Sequence, residues 1–176
     1  MMMAVVNFIV VTIVLMNIGD YDINTQFLSA LGTRSSGILF NSSLVFLALA
    51  TFLYFLSVGK SGKIGHITTI FGMFTAFLLF GIGIFVSGGW SSEIHNIFAI
   101  TYFLALIPLY IYLPIRFKVP RGYKEILSLS GFLTSIMTVV ALTIPVVNQY
   151  IFQKLIVLAQ LVFLFCSSLY FFMSED

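Results

Sequence analysis

The sequence contains very little charge. Only 8% of its 176 residues are Asp, Glu, Lys or Arg, and 60% are hydrophobic, whereas soluble domains carry about 25% charged residues. So few charges cannot cover the surface of a water-soluble domain. The composition also excludes a disordered chain and a basic nucleic-acid-binding domain. We therefore predict an integral membrane protein. Its expected partners are membrane lipids and not nucleic acid.

Cysteine and histidine are almost as scarce. The one cysteine, Cys166, excludes an intramolecular disulfide and a cysteine metal cluster. The two histidines, His66 and His95, lie beside predicted helices at opposite membrane surfaces, about 30 Å apart. That separation argues against a bis-histidine haem, and the sequence has no H-x-x-x-H or H-E-x-x-H pattern. We predict no cofactor and no bound metal ion.

Long charge-free runs are what the chain has instead. All eight basic and six acidic residues lie outside six apolar runs, each of 18 to 22 residues, which is enough to cross about 30 Å of hydrocarbon. The runs cover residues 2–19, 37–58, 67–87, 96–115, 126–147 and 155–173. The first run has no positive n-region, so we expect a retained helix rather than a signal peptide. We predict an all-α, polytopic membrane protein with one domain, 1–176, of six transmembrane helices.

The basic residues predict the orientation of this bundle. Loops 59–66 and 116–125 hold six of the eight Lys and Arg residues, and the opposite side holds only Arg34 and Lys154. Cytoplasmic loops carry the excess of Lys and Arg in membrane proteins. Both termini are therefore expected in the cytoplasm, with loop 20–36 outside.

Small and polar residues inside the runs predict how the helices pack. Gly72, Ala76 and Gly83 lie near one face of the third span, and Gln160 and Ser167 align on the sixth. Small residues let membrane helices approach closely. We interpret these positions as packing positions. A polar translocation path is the alternative, and it would require charged or more polar residues at depth.

The polar residues on the predicted outer side are the candidate site. Their side chains offer carboxylate, hydroxyl, amide, guanidinium and imidazole groups that an outward-facing pocket could combine. They are Asp20, Asp22, Ser29, Arg34, Asn41, Glu93 and His95.

Each of these residues also has a structural interpretation. His95 either caps the fourth span or holds loop 20–36, or it contacts a lipid headgroup; binding a metal with Asp20, Asp22 or Glu93 is a further alternative. Asn41 is a hydrogen-bond hub or a binding residue. Arg34 pairs with a loop aspartate or attracts an anionic headgroup. Ser29 lacks the sequence context of a nucleophile.

Three short stretches resemble a prokaryotic membrane family known as domain of unknown function 998. They are Leu28-Ser29-Ala30-Leu31-Gly32, Leu39-Phe40-Asn41, and His95-Asn96-Ile97-Phe98-Ala99 with Phe103. The resemblance implies six helices, a prokaryotic plasma membrane, and importance of Ser29, Gly32, Phe40, Asn41 and His95. The family often has aspartate where this chain has Ala30, and Pro-Tyr-Ser where this chain has Gly19-Asp20-Tyr21-Asp22. These departures argue against acid chemistry at position 30.

Three functions are compatible with the sequence. The first is a non-catalytic accessory subunit of a larger membrane assembly, with other membrane subunits or further copies of this chain as partners. The second is a binder or transporter of a lipid or small hydrophobic molecule through an outward-facing pocket. The third is a membrane-embedded enzyme acting on lipid headgroups, which would need loop 20–36 and His95 to assemble a site. The first is our main expectation.

Overall fold

The computed structural model describes residues 1–18, 20–116, 121–144 and 148–173. The described residues contain six α-helices and no β-strand, which confirms the all-helical prediction. The α-helices are α1 (Met2–Asn17), α2 (Gly37–Lys60), α3 (His66–Ile84), α4 (Ser92–Arg116), α5 (Arg121–Thr143) and α6 (Gln149–Met173). Two short 3-10 helices, η1 (Leu28–Thr33) and η2 (Gly89–Ser91), lie in the α1–α2 and α3–α4 connections.

Four segments are long and apolar enough to cross a membrane. They are Gly37–Lys60, His66–Ile84, Gly89–Leu113 and Gln149–Phe172, and α1 is a shorter apolar helix. These helices fit a multi-pass membrane protein. The count of six crossings and the cytoplasmic position of the termini stay predictions. Gly19, residues 117–120 of the predicted inner loop and residues 145–147 of the fifth predicted span lie outside the described residues.

The helices α4, α5 and α6 begin earlier than the charge-free runs that predicted them. Glu93 lies in the first turn of α4, Lys154 lies in α6, and Lys124 lies in α5. A run without charge measures only the part of a helix inside hydrocarbon, and a helix continues beyond it. A carboxylate in the first turn is also favourable at the positive end of the helix dipole.

The six helices form a closed ring. Each helix packs on its neighbours in the sequence, and α1 packs on α6. Gly72 lies against the ring of Phe55 on α2, and Gly131 lies against the backbone carbonyl of Tyr110 on α4. Since these glycines permit the close approach of two helices, the packing interpretation of Gly72 is confirmed, and Ala76 and Gly83 are buried as well.

The two halves of the ring are filled differently. Large side chains close the half that is remote from η1, where Phe55, Tyr110, Leu113 and Phe163 are fully buried. Tyr110 and Phe163 meet edge to face with ring centroids 4.6 Å apart. The half beside η1, which we call the η1 end, retains open space between the helices. The outer surface of the bundle is lined by exposed apolar side chains such as Ile38, Ile67 and Phe172.

Candidate functional site

The long loop between α1 and α2 folds over the η1 end. Its 3-10 helix packs on α1, α2 and α6, and it buries Leu28 and Leu31. Leu31 has no exposed surface. Gly32 is also buried, and a Cβ atom added there would collide with the side chain of Asn41. Apolar burial therefore anchors a loop that composition alone would leave in water.

Lys154 of α6 fastens the first part of this loop. Its Nζ donates hydrogen bonds to the carbonyl oxygens of Ile23 at 2.7 Å and Gln26 at 2.6 Å. It also donates to the carbonyl of Tyr150 on its own helix at 2.9 Å. Three carbonyl acceptors around one ammonium group satisfy all its donors. We call Lys154 with these acceptors the Lys154 clamp.

A cavity lies beneath η1, inside the ring. Its empty volume is about 670 Å³, counting the space open to the outside. Helices α1, α2, α3, α4 and α6 and the loop all contribute to its lining. The lining residues are Phe8, Leu28, Ser29, Phe40, Asn41, Leu44, Leu47, Leu79, Ile82, Ser87, His95, Ala99, Tyr102, Phe103, Gln153, Val157, Gln160 and Leu161.

A wider cleft adjoins this cavity beside α4. Its empty volume is about 950 Å³, again with the space open to the surface, and it is bounded by α4, α5, α6 and the loop. Five residues line both spaces, so the two adjoin: Ser29, His95, Ala99, Phe103 and Gln153. The cleft reaches Ile100, which is 51% exposed and lies within the apolar segment Gly89–Leu113. The cleft thus lies between the cavity and the side of the bundle.

Three of the predicted site residues line this cavity: Ser29, Asn41 and His95. The backbone carbonyl of Ser29 accepts a hydrogen bond from the Ser87 hydroxyl at 3.1 Å. The Asn41 amide donates to the Gly32 carbonyl at 3.2 Å. Asn41 therefore ties α2 to η1, as the hub interpretation predicts, and it also faces the cavity.

His95 is buried, with 6% of its surface exposed, and it joins α4 to the end of α3. Its Nδ1 lies 2.6 Å from the carbonyl oxygen of Phe85. Because a carbonyl oxygen only accepts, Nδ1 carries the proton, and in the tautomer with a single proton Nε2 is then an acceptor. Within the described residues His95 has no other hydrogen bond. The ring thus has a structural nitrogen and a second nitrogen available at the cavity.

The four charged residues of the predicted site do not line either space. Asp20 and Glu93 are exposed, and Arg34 donates from Nη2 to the Gln26 side chain at 2.9 Å. Asp22 accepts hydrogen bonds from Thr25 Oγ1 at 2.7 Å and the Asn24 backbone at 2.8 Å. These hydrogen bonds, and above all the one from Thr25, lower the pKa of the Asp22 carboxyl below its ordinary value of 3.8. The structure separates these four charged side chains from the pocket, although other residues of the same loop line it. Arg34 forms no ion pair with Asp20 or Asp22 in the described part of the chain.

Tyr21 lies beside Arg34 and helps to explain why Arg34 does not pair with the aspartates. Its hydroxyl donates to the Gln26 carbonyl at 3.1 Å, and its ring lies 5.6 Å from the Arg34 guanidinium carbon. Partial burial raises the pKa of this hydroxyl to about 12, although the charge of Arg34 opposes the rise. The aromatic ring and Gln26 therefore provide the contacts that the aspartates were expected to provide for Arg34.

The metal alternative has no arrangement to support it. In the described ranges, no three His, Cys, Asp or Glu side chains lie close enough together to hold a metal ion. The polar groups around the cavity are neutral amides, hydroxyls and one imidazole, which bind through hydrogen bonds rather than by charge.

Sequence reasoning missed several polar lining residues of this site, and three of them matter most below. Tyr102 and Gln153 were not singled out, and Gln160 was assigned to packing. Gln153 accepts a hydrogen bond from the Leu28 backbone at 2.9 Å and so holds η1 on α6. The spacing of these residues along the chain was the one signal that could have identified them. His95 and Tyr102 are seven residues apart, as are Gln153 and Gln160, and seven residues place two side chains on one helix face.

A third space, of about 1,130 Å³ counting the part open to the outside, lies on the opposite half of the bundle, away from the predicted outer-side residues. It is an open cleft between the start of α3 and the second half of α4, near His66, Phe71, Pro108 and Tyr112. His66 and Tyr112 are exposed on the surface. Helix α3 separates His66 from the η1 end by about 27 Å, so the two histidines do not share a pocket.

The fold and the site define a helical membrane protein with a neutral, buried cavity at one end. The chain belongs to the family described as Protein of unknown function (DUF998), whose model matches residues 1–174. The resemblance drawn from the sequence is thereby confirmed. Neither a curated protein nor a solved structure shows a significant match to the chain.

Proposed function

We propose that this protein binds a lipid or a small hydrophobic molecule in the cavity and cleft at its η1 end. The observation that carries the proposal is a cavity inside the bundle that adjoins, through five shared lining residues, a cleft beside α4 within an apolar, membrane-length segment. A hydrophobic molecule dissolved in the bilayer would reach the cavity through this cleft without passing through water.

The composition of the lining supports a hydrophobic ligand. Most lining side chains are apolar or aromatic, with a few polar groups at defined positions, which is the usual character of small-molecule sites. No Asp, Glu, Lys or Arg of the described residues lines either space, which favours binding over ion-coupled transport.

The loop closes this site from the predicted outer side. Helix η1 covers the cavity, and the Lys154 clamp together with Gln153 holds the loop on α6. We propose that the η1 end faces the outside of a prokaryotic plasma membrane, as the distribution of basic residues predicts.

Two tryptophan substitutions on α4 test whether the cleft is the site. Ile100→Trp fills the cleft from its exposed edge, whereas Ile97→Trp places the same bulk on a residue that is 65% exposed and lines neither space. The indole displaces the volume of at least two ligand methylenes, worth about 1.6 kcal/mol, so we expect about tenfold weaker binding. Native mass spectrometry of the purified protein with added dodecanol measures this. Equal binding to both variants would refute the proposal.

Two substitutions at His95 separate its structural nitrogen from its cavity nitrogen. His95→Asn keeps an amide donor near the position of Nδ1 and removes Nε2, whereas His95→Gln keeps an amide near Nε2. We expect His95→Asn to retain thermal stability, and His95→Gln to lose stability by about 1–3 kcal/mol because the Phe85 carbonyl loses its donor. Weaker dodecanol binding in His95→Asn would assign the ligand hydroxyl to Nε2. If both variants lost only stability, His95 would have the structural role alone.

The accessory-subunit role is a separate proposal, and the same purification distinguishes it. A partner protein that remains bound to the chain in native mass spectra, with no dependence of dodecanol binding on Ile100, would favour the subunit role over the binding role.

A further inference from the structure

Two buried polar side chains in the cavity have no hydrogen-bond partner among the described residues. Gln160 is 3% exposed and Tyr102 is 4% exposed, and both line the cavity. Among the described residues, neither the Gln160 amide nor the Tyr102 hydroxyl forms a hydrogen bond. The polar atoms of both side chains also keep some accessible surface, and both residues line the cavity. Buried polar groups are nearly always hydrogen-bonded. The enclosed hydroxyls of Tyr54 and Tyr110 also have no partner in the described part of the chain, but Tyr102 and Gln160 differ from them by lining open space that a bound group would fill.

The pair lies deep in the bundle. Tyr102 follows His95 by seven residues, and Gln160 follows Gln153 by seven, which places both about 10 Å further from the η1 end. Both are near the middle of their 25-residue helices. At this depth a membrane offers little water, and an unmatched amide and hydroxyl are costly there.

The chemistry of the pair limits what it can bind. A glutamine amide and a tyrosine hydroxyl each donate and accept hydrogen bonds. Neither the cavity nor the cleft is lined by a charged side chain among the described residues. A charged headgroup moved to this depth would therefore lose its hydration without gaining a counter-ion.

We infer that Tyr102 and Gln160 bind the uncharged hydroxyl or carbonyl group of an amphiphile. Its apolar chain lies along Ala99 and Phe103 toward the cleft. This inference rests on the proposed function and adds the chemical class of the ligand. It also assigns Gln160 to binding, whereas spacing alone assigns it to packing.

Four probes with the same twelve-carbon chain test the ligand class. They are dodecane, dodecanol, dodecyltrimethylammonium and dodecylsulfonate, each added to the whole protein and measured by native mass spectrometry. We expect dodecanol to bind at least about tenfold more tightly than the two ions, the effect of one well-formed hydrogen bond in place of an unpaired charge.

Three variants show whether the pair causes that preference. Tyr102→Phe removes one hydroxyl, and Gln160→Leu replaces the amide by an apolar side chain of similar size. Each of these two substitutions should weaken the binding of dodecanol about tenfold and leave the binding of dodecane unchanged. Tyr54→Phe is the matched control, because Tyr54 is buried in the same bundle and lines neither space.

The outcomes distinguish this inference from the proposed function. Equal binding of all four probes, or a dodecanol preference that survives both variants, would overturn the assignment of a neutral polar ligand. Binding that still depended on Ile100 would then leave the proposed function standing. No binding of any probe would refute the proposed function itself.

Discussion

Replacement of Lys154 by methionine should release the loop that covers the cavity. The substitution keeps the length and much of the apolar stem of the side chain but removes the ammonium group, and with it the hydrogen bonds to the carbonyls of Ile23 and Gln26. Bonds to a charged group contribute about 1.5–3 kcal/mol each. Because water can solvate the freed carbonyls of this surface loop, we take about 1 kcal/mol for each. The free energy required to open the loop should therefore fall by about 2 kcal/mol, which corresponds to about 30-fold more of the open state.

Hydrogen exchange of the loop amides measures this opening. The amides of Leu28, which is bonded to Gln153, and Ala30, which is bonded to the Phe27 carbonyl, report on η1 directly. We expect their exchange to become about 30-fold faster, while amides in the middle of α2 remain unchanged. Lys124→Met is the matched control, because Lys124 is exposed on α5 and forms no hydrogen bond within the described residues. Unchanged exchange at Leu28 in Lys154→Met would refute the clamp.

Two further predictions concern packing and pH. Gly131→Ala places a Cβ atom 2.6 Å from the Tyr110 carbonyl oxygen and should destabilise the protein by about 1–3 kcal/mol in thermal unfolding. Gly122→Ala meets nothing within 4 Å and should be neutral or stabilising, so equal effects would contradict the close approach of α4 and α5. The lowered pKa of Asp22 stabilises the turn with Thr25 above pH 3.8, and this stabilisation is lost as the pH falls through the lower folded-state value. The protection factor of the Asn24 amide, which is the intrinsic exchange rate divided by the observed rate at each pH, should therefore fall on acidification. Asp22→Asn should abolish that fall, and a fall that persists in this variant would contradict it.

The helices were predictable because insertion into hydrocarbon excludes charge. Each charge-free run lies within or close to one of the helices α1 to α6. The helix starts were less predictable, because helices continue past the hydrocarbon into water, where Glu93 and Lys154 are tolerated. The 3-10 helix at 28–33 was not predicted, since its burial depends on the ring of helices beneath it and not on its own sequence pattern.

The site was predictable in part for the same physical reason. Asn41 and His95 come together because each is a polar residue at the edge of an apolar segment that faces the ring interior, and Ser29 joins them because η1 folds over this end of the ring. The aspartates remain in water, where their hydration is retained. Tyr102 and Gln160 could not be assigned, because the seven-residue spacing places residues on one face without telling whether that face meets a neighbouring helix or an open cavity.

Photolabelling of the cavity would test the central claim most directly. A dodecanol derivative with a diazirine beside its hydroxyl group would be activated on the whole protein in native-like membranes, and the labelled peptides sequenced by mass spectrometry. The account predicts labels on cavity residues of α4 and α6, near Tyr102 and Gln160, that an excess of unlabelled dodecanol removes and Ile100→Trp reduces. Labels confined to lipid-facing residues such as Leu158 and Val162, with no competition by dodecanol, would contradict it.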